Sequence, residues 1–309
     1  MNNSFDVISF GSAIVDIFLK SADFKLVKGV NGGIAICELY GAKIEIEERV
    51  ICSGGGGTNT AVSFSRLGLK SAVVARLGQD LFGQLIVNEL EQEGVATEFL
   101  VRREEETDTS VILIGPDGGR TILVYRGPTR LEIEDVDWSK LSSRWFYLAS
   151  LEGNLDLIER LIDFAQQKKI QVAWNPGKKE LDQREKVIKL ASRVDLFNLN
   201  REEMEELIGE KLEAKDFWPK VKELKTRLVI VTNGRNGAYL LSQDGLIFKP
   251  TPTSSPVDET GAGDAFGSGF VAGLIKGMDL ENAFELAMRN AASVVQKIGA
   301  KAGLLRMTN

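Results

Sequence analysis

No histidine occurs anywhere in the 309 residues. That absence removes Ser-His-Asp and Cys-His nucleophile chemistry, histidine-based zinc sites and the His-Arg-Asp catalytic loop of protein kinases. Cysteine is scarce as well: Cys37 and Cys52 stand alone, without a CxxC, so neither a disulfide framework nor a dithiol redox motif is available. No apolar run approaches the length of a membrane span, and the N-terminus lacks the regions of a secretion signal, so a cytoplasmic chain is expected. A net charge of -6 argues against a general affinity for nucleic acid or an anionic membrane. Carboxylate, lysine, arginine and backbone groups remain for chemistry.

Hydrophobic residues make up 43% of the chain and charged residues 27%, as in a soluble protein with a large core. Apolar runs predict strands at 6–10, 71–77, 145–149, 170–174, 196–199 and 228–232. Helical spacing appears at 58–67, 81–93, 155–168, 180–192, 201–208, 213–224, 263–276 and 280–297. Strand and helix alternate from 144 onward, which predicts βαβ units and a mostly parallel sheet covered by helices. Thr109 to Ile114 and Arg120 to Tyr125 break that rhythm as a hairpin around Gly115-Pro116-Asp117-Gly118-Gly119. The stretch 17–50, with Gly29, Gly32, Gly33 and Gly41, is also irregular. Segments 17–50 and 97–127 are expected to leave the main sheet as a small β lid on a single domain spanning 1–309, with an edge hairpin on the same sheet as the plain alternative. The lid hairpin is apolar on both faces, so it is expected to close over an acceptor and to supply a homodimer contact.

Asp258-Glu-Thr-Gly-Ala-Gly-Asp264 runs into Ala265-Phe266-Gly267-Ser268-Gly269-Phe270, which reads as the start of a buried helix. Gly261, Ala262 and Gly263 then offer bare N–H groups at a helix N-terminus, an anion site, with Asp264 in the first turn beside it. In phosphoryl transfer, charge spreads over the equatorial oxygens, so positioning and electrostatics dominate. The backbone of 261–263 suits those oxygens, and Asp264 suits an acceptor hydroxyl and its proton. The plain alternative is a glycine-rich turn with Asp264 as a cap.

Gly54-Gly55-Gly56-Gly57-Thr58-Asn59 lets backbone approach a ligand, and Asn59 and upstream Asp16 are natural partners for sugar hydroxyls. A flexible turn with a helix cap is the other reading. Asp80, in Gly78-Gln-Asp80-Leu-Phe-Gly83, reads as a helix cap. Asn200 and Glu203, three apart at a helix start, suit a magnesium ion held through its waters, or a solvated face. Thr232-Asn-Gly234-Arg-Asn-Gly237 either approaches a nucleotide or turns a hairpin. No G-x-G-x-x-G follows a strand, and no G-x-x-x-x-G-K-[ST] exists, which disfavours dehydrogenases and P-loop enzymes.

In this order the motifs resemble the ribokinase-like (PfkB) family of carbohydrate kinases. The D-x-T-G-A-G-D run at 258–264 is the most specific element, supported by G-G-x-x-x-N at 54–59 and N-x-x-E at 200–203. The resemblance implies an α/β three-layer sandwich with a mostly parallel central sheet and a β lid. It implies ATP, Mg²⁺ and transfer of the γ-phosphoryl group to a substrate hydroxyl. By position, it makes Asp264 the catalytic base and 261–263 the anion hole, and matches Asp16, Gly54, Gly55 and Asn59 to sugar-binding positions. Asn200 and Glu203 match a Mg²⁺/phosphate element. Thr232, Gly234, Gly237 and Thr260 are assigned to the nucleotide, with Asn290 at the expected adenine pocket. Asp258, with Gly299-Ala300, matches a site that holds a monovalent cation such as K⁺ in many members.

Two departures stand out. Glu259 replaces a small residue, and Asp16 follows Ala13-Ile14-Val15 without the Asn two positions earlier that ribose-specific members carry. Arg126 either faces a carboxylate or phosphate on the substrate or is a surface arginine. A sugar, a sugar acid and a sugar phosphate therefore all stay open as acceptor. A nucleoside kinase of the same family, and a non-catalytic sugar or nucleotide sensor, are the alternatives; the presence of Asp264 speaks against the sensor.

Overall fold

A computed structural model describes residues 4–29, 33–252 and 256–307; Gly32 lies outside these. Strand β1 (Phe5–Phe10) is followed by β2 (Ile14–Lys20), the short β3 (Leu26–Lys28) and β4 (Ile34–Ile36), and β5 (Glu48–Gly54). Helix α1 (Gly56–Arg66) comes next, then β6 (Ser71–Val74), β7 (Arg76–Gly78), α2 (Leu81–Gln92) and β8 (Val101–Arg103). The hairpin is β9 (Thr109–Ile114) and β10 (Arg120–Tyr125), with the bounds its turn residues predict. Then come β11 (Ser143–Leu148), α3 (Leu155–Lys168), β12 (Gln171–Trp174), α4 (Lys178–Leu181), α5 (Arg184–Ala191), β13 (Leu196–Asn200) and α6 (Arg201–Ile208). The chain continues through α7 (Phe217–Glu223), β14 (Leu228–Thr232), β15 (Ala238–Ser242), β16 (Gly245–Lys249), α8 (Ala262–Ile275) and α9 (Leu280–Val294).

The main sheet has eight strands in the order β16-β15-β14-β13-β12-β11-β1-β6. Six pair in parallel from β14 to β6, and β15 and β16 close one edge antiparallel. Its strands are apolar on both faces, as a sheet sandwiched between helices requires. Val7, Trp145, Tyr147, Leu196 and Ile230 pack against α1, α8 and α9. Ile8, Phe10, Phe146, Leu148, Trp174 and Phe197 pack against α3, α5, α6 and α7 on the other face.

A separate four-stranded sheet, β10-β9-β2-β5, forms the lid. Its outer strand β10 is exposed along its whole length, with Ile122, Leu123, Val124 and Tyr125 each about half accessible. The dimer expectation draws on both hairpin strands, of which β9 is partly buried and β10 bare. Residues 101–103, inside the segment assigned to the lid, instead pair with 76–78.

Three predicted elements differ from the observed ones. The strand at 71–77 splits: β6 stays in the main sheet and β7 leaves it to pair with β8. The helix at 213–224 begins only at Phe217, because Pro219 is tolerated in a first turn but not in a helix interior. The helix at 180–192 is broken into α4 and α5. Glu180 turns fully inward, and its carboxylate collects the N–H groups of Leu151 (2.7 Å), Gly153 (2.9 Å) and Gly177 (2.9 Å). That carboxylate fixes the loop after β11, which borders the site.

Candidate active site

Two helix N-termini meet where the glycine-rich runs lie. Helices α2, α3, α6 and α9 carry side-chain caps from Asp80, Asn154, Asn200 and Asp279. Helices α1 and α8 begin at Gly55 and Gly261 with no side-chain cap. Gly261 has φ 77, and an added Cβ would lie 2.5 Å from the Cβ of Ala300, so glycine is required there. Gly263 has nothing within 4 Å of where a Cβ would stand, which leaves the first turn of α8 open.

Asp264 stands in that first turn, partly buried. Burial raises its pKa, and a hydrogen bond from Asn59 Nδ2 to Oδ2 (2.8 Å) opposes the rise. The donor comes from α1, 205 residues away in sequence. Asn59 is itself buried, and its Oδ1 has no partner among the described residues. With Nδ2 committed to a carboxylate, this oxygen must be the amide acceptor.

The glycine run separates the two acids. A Cβ on Gly54 would stand 2.0 Å from Asp16 Oδ2, and a Cβ on Gly56 3.4 Å from Asp264 Oδ1. Gly54 therefore makes room for the Asp16 carboxylate. Gly55, at φ 93, allows a close pass over the carbonyl of Ser12. Asp16 is buried in lid strand β2, where the register sets it between Cys52 and Ser110. Ser110 Oγ donates to Asp16 Oδ1, while burial pushes the pKa of this acid up. Burial, followed by the charge of Asp16, pushes the Cys52 thiol up to about 12, so it is no nucleophile.

On the far side of α8 a cavity of about 540 Å³ opens. Its walls include Asn200, Thr232, Gly234, Gly237, Glu259, Ala262, Gly263, Met288, Ala291, Ala292 and Val295. Thr232, Gly234 and Gly237 thus line one hollow. Asn200 and Glu203 form a reciprocal cap: Glu203 N donates to Asn200 Oδ1 (2.8 Å), and Asn200 N to Glu203 Oε2 (2.9 Å). Burial raises the pKa of Glu203. No group of three or more His, Cys, Asp or Glu that could chelate a metal occurs among the described residues. Asn200 lines the cavity and Glu203 stands behind it in the cap, so this pair suits a Mg²⁺ that keeps its waters and arrives on phosphates rather than one chelated directly.

Four of the assigned residues hold contacts of their own in the structure. Asn290 does not face the cavity; it is fully buried, donates to Ser63 Oγ (3.0 Å) and Ala265 O (2.8 Å), and accepts from Leu305 N (3.0 Å). Its amide staples α9 to α8, α1 and the C-terminal segment. Thr260 turns away as well, its hydroxyl donating to Asp258 Oδ1 (2.6 Å). Arg126 is already engaged, by Glu152 (2.6 Å) and Asp108 (3.3 Å). Asp258 does not present free oxygens to a monovalent cation. Oδ1 accepts from Arg120 Nη1, Thr260 N (3.0 Å) and Thr260 Oγ1, and Oδ2 from Gly299 N (2.9 Å). Arg120, Ser110 and Lys301 gave no sequence signal. The Lys301 ammonium is buried against Ser53 Oγ, 3.5 Å from Glu89.

Residues 5–306 match the pfkB family carbohydrate kinase description. The chain belongs to the PfkB family of carbohydrate kinases. It is 31% identical over 255 residues to an uncharacterized sugar kinase of Archaeoglobus fulgidus, covering 79% of this chain and 99% of that one. An ATP-dependent 6-phosphofructokinase of Thermoanaerobacterium thermosaccharolyticum is 26% identical over 312 residues, covering 97% and 90%. The fold matches Arabidopsis thaliana ribokinase complexed with ribose and ATP, with a TM-score of 0.78, 22% identity and coverage of 98% and 96%. This PfkB member is therefore a phosphotransferase with an alcohol acceptor, built on the ribokinase-like fold that its motifs predict. Among the described residues no helix is long and apolar enough to cross a membrane.

Proposed function

We propose that this chain transfers the γ-phosphoryl group of ATP to a hydroxyl of a sugar or sugar derivative, with Asp264 as the base and the backbone of 261–263 as the anion hole. One observation carries the reading. A partly buried carboxylate stands at an uncapped helix N-terminus, held from the acceptor side by an asparagine whose own oxygen lacks a partner. A buried acceptor without a donor is costly, and a substrate hydroxyl would satisfy it.

Asn59 Oδ1 and Asp16 accept hydrogen bonds from acceptor hydroxyls, so the sugar is oriented by the lid and by α1 together. Asp264 Oδ1, the oxygen Asn59 does not hold, takes the proton of the reacting hydroxyl as its oxygen bonds to phosphorus. The bond from that phosphorus to the bridging oxygen breaks, and ADP carries away the electron pair. The N–H groups at the start of α8 and the positive helix end stabilise the transferred oxygens. The nucleotide lies in the cavity bounded by Thr232, Gly234, Gly237, Met288, Ala291 and Ala292. Asn200 and Glu203 would hold a hydrated Mg²⁺, which supplies charge neutralisation to the phosphates when bound.

Asp264→Asn tests the reading. Loss of a general base should lower kcat by about 10²–10⁴ while leaving ATP-analogue affinity nearly unchanged. The assay is coupled ADP release over a panel of sugars, sugar acids, sugar phosphates and nucleosides. An Asp264→Asn enzyme as active as the parent sinks the mechanism.

A further inference from the structure

The pocket around Asp258 is full of the chain's own positive charge. Arg120, at the start of lid strand β10, pairs with Asp258 Oδ1 and lies 3.3 Å from Thr260 Oγ1. The neighbouring loop is occupied in the same way. Gly299 N is spent on Asp258 Oδ2, the carbonyl of Lys301 accepts from Arg66 Nη1, and the Lys301 ammonium is buried under lid strand β5 against Ser53. A monovalent cation needs several free oxygens and no positive neighbours. Here the carboxylate oxygens face donors, and a cation would meet the Arg120 guanidinium in a partly dry site, where like charges repel strongly.

We propose that Arg120 takes the place of the monovalent cation in this chain, and that its charge comes from the lid. Asp258 begins the run that ends at Gly261 and Asp264. A guanidinium on its carboxylate fixes the conformation of that run, through Thr260, as a bound ion would. The anion hole is then set without K⁺, and only while β10 lies against the loop. Arg120 is a positioning residue: it acts on the phosphate end through Asp258 and Thr260.

This inference rests on the reading of the 258–264 run as the phosphate end of the site, so two readouts are needed. One is the thermal midpoint of the full chain in KCl against tetramethylammonium chloride at equal ionic strength. The other is the affinity for a non-hydrolysable ATP analogue in the same salts. For the parent chain both should be unchanged between salts. A K⁺-dependent rise in the midpoint, or analogue binding tightened about tenfold by K⁺, overturns the proposal. Arg120→Ala should weaken analogue binding by about tenfold in tetramethylammonium, the size of one lost charged contact, and KCl should restore part of it. Arg120→Lys should behave as the parent. An Arg120→Ala chain that binds the analogue as the parent does, without K⁺, also overturns it. Should Arg120→Ala not fold, the parent's salt response decides alone. Absence of analogue binding in every salt would refute the kinase reading, whereas the midpoint still tests the cation.

Discussion

Asn59→Ala is the sharpest probe of how the base is set. Its Nδ2 makes a 2.8 Å hydrogen bond to Asp264, the first lowering influence on a pKa that burial otherwise raises. A hydrogen bond to a charged group is worth about 1.5–3 kcal/mol, and one pKa unit corresponds to about 1.4 kcal/mol. The bond stabilises the charged form, so its loss must raise the pKa further. Asp264 works as a base only when deprotonated. The acid limb of the pH profile of kcat should therefore move upward by about one unit, with partial relief from water entering the space left by the amide. The missing histidines help the measurement, because no ordinary side chain titrates near pH 6.5 to mask that limb. The assay is kcat from pH 5 to 9 at saturating acceptor, which separates this effect from the rise in KM caused by losing Oδ1. An acid limb that stays in place in Asn59→Ala, or moves downward, refutes the coupling of Asn59 to the base.

Asp16→Ala should raise the acceptor KM by about tenfold or more while calorimetry shows unchanged ATP-analogue affinity; loss of analogue binding in a folded variant would place Asp16 elsewhere. Asn290→Ala should lower unfolding free energy by about 1–3 kcal/mol in a urea titration, because it leaves Leu305 N without its acceptor and opens a buried space between α8, α9 and α1, and should leave nucleotide affinity within a few fold. A stable Asn290→Ala that fails to bind nucleotide would restore the adenine contact.

The parts of this molecule that sequence discloses are those set by local periodicity. The bounds of β9, β10, α3, α6 and β14 follow from alternation, turn residues and caps. The run 258–264 and Asn59 are legible as separate motifs, because glycine runs beside Asp or Asn at a helix start mark either a cap or a ligand approach. Their meeting across 205 residues is not legible, since no spacing rule reaches across a sheet. Glu180 illustrates the opposite failure. A glutamate at a helix start reads as solvent-facing, yet two backbone donors from a distant loop, with a third from its own helix cap, draw it fully inside. Asn290 misleads for a related reason: an amide fits an adenine edge and a three-way staple equally well, and only the packing of α8 and α9 selects the staple. Arg120 and Lys301 are lone cations whose role depends on which carboxylates the fold sets beside them.

Strand β10 is fastened at both ends and bare between them. Arg120 holds one end to Asp258, and Arg126 holds the other to Glu152, while the four apolar side chains from Ile122 to Tyr125 are about half exposed. Beyond its backbone ladder to β9, little side-chain burial holds this edge, so its ties to the rest of the site are electrostatic. The guanidinium ends are 35% and 44% exposed, so salt screening, over about 8 Å at physiological ionic strength, reaches both pairs, though less than it would a fully exposed one. Salt therefore loosens both fastenings together, whereas an apolar hinge would tighten. Where lid opening limits product release, turnover of this kinase should quicken with ionic strength before weakened binding of the charged nucleotide reverses the trend.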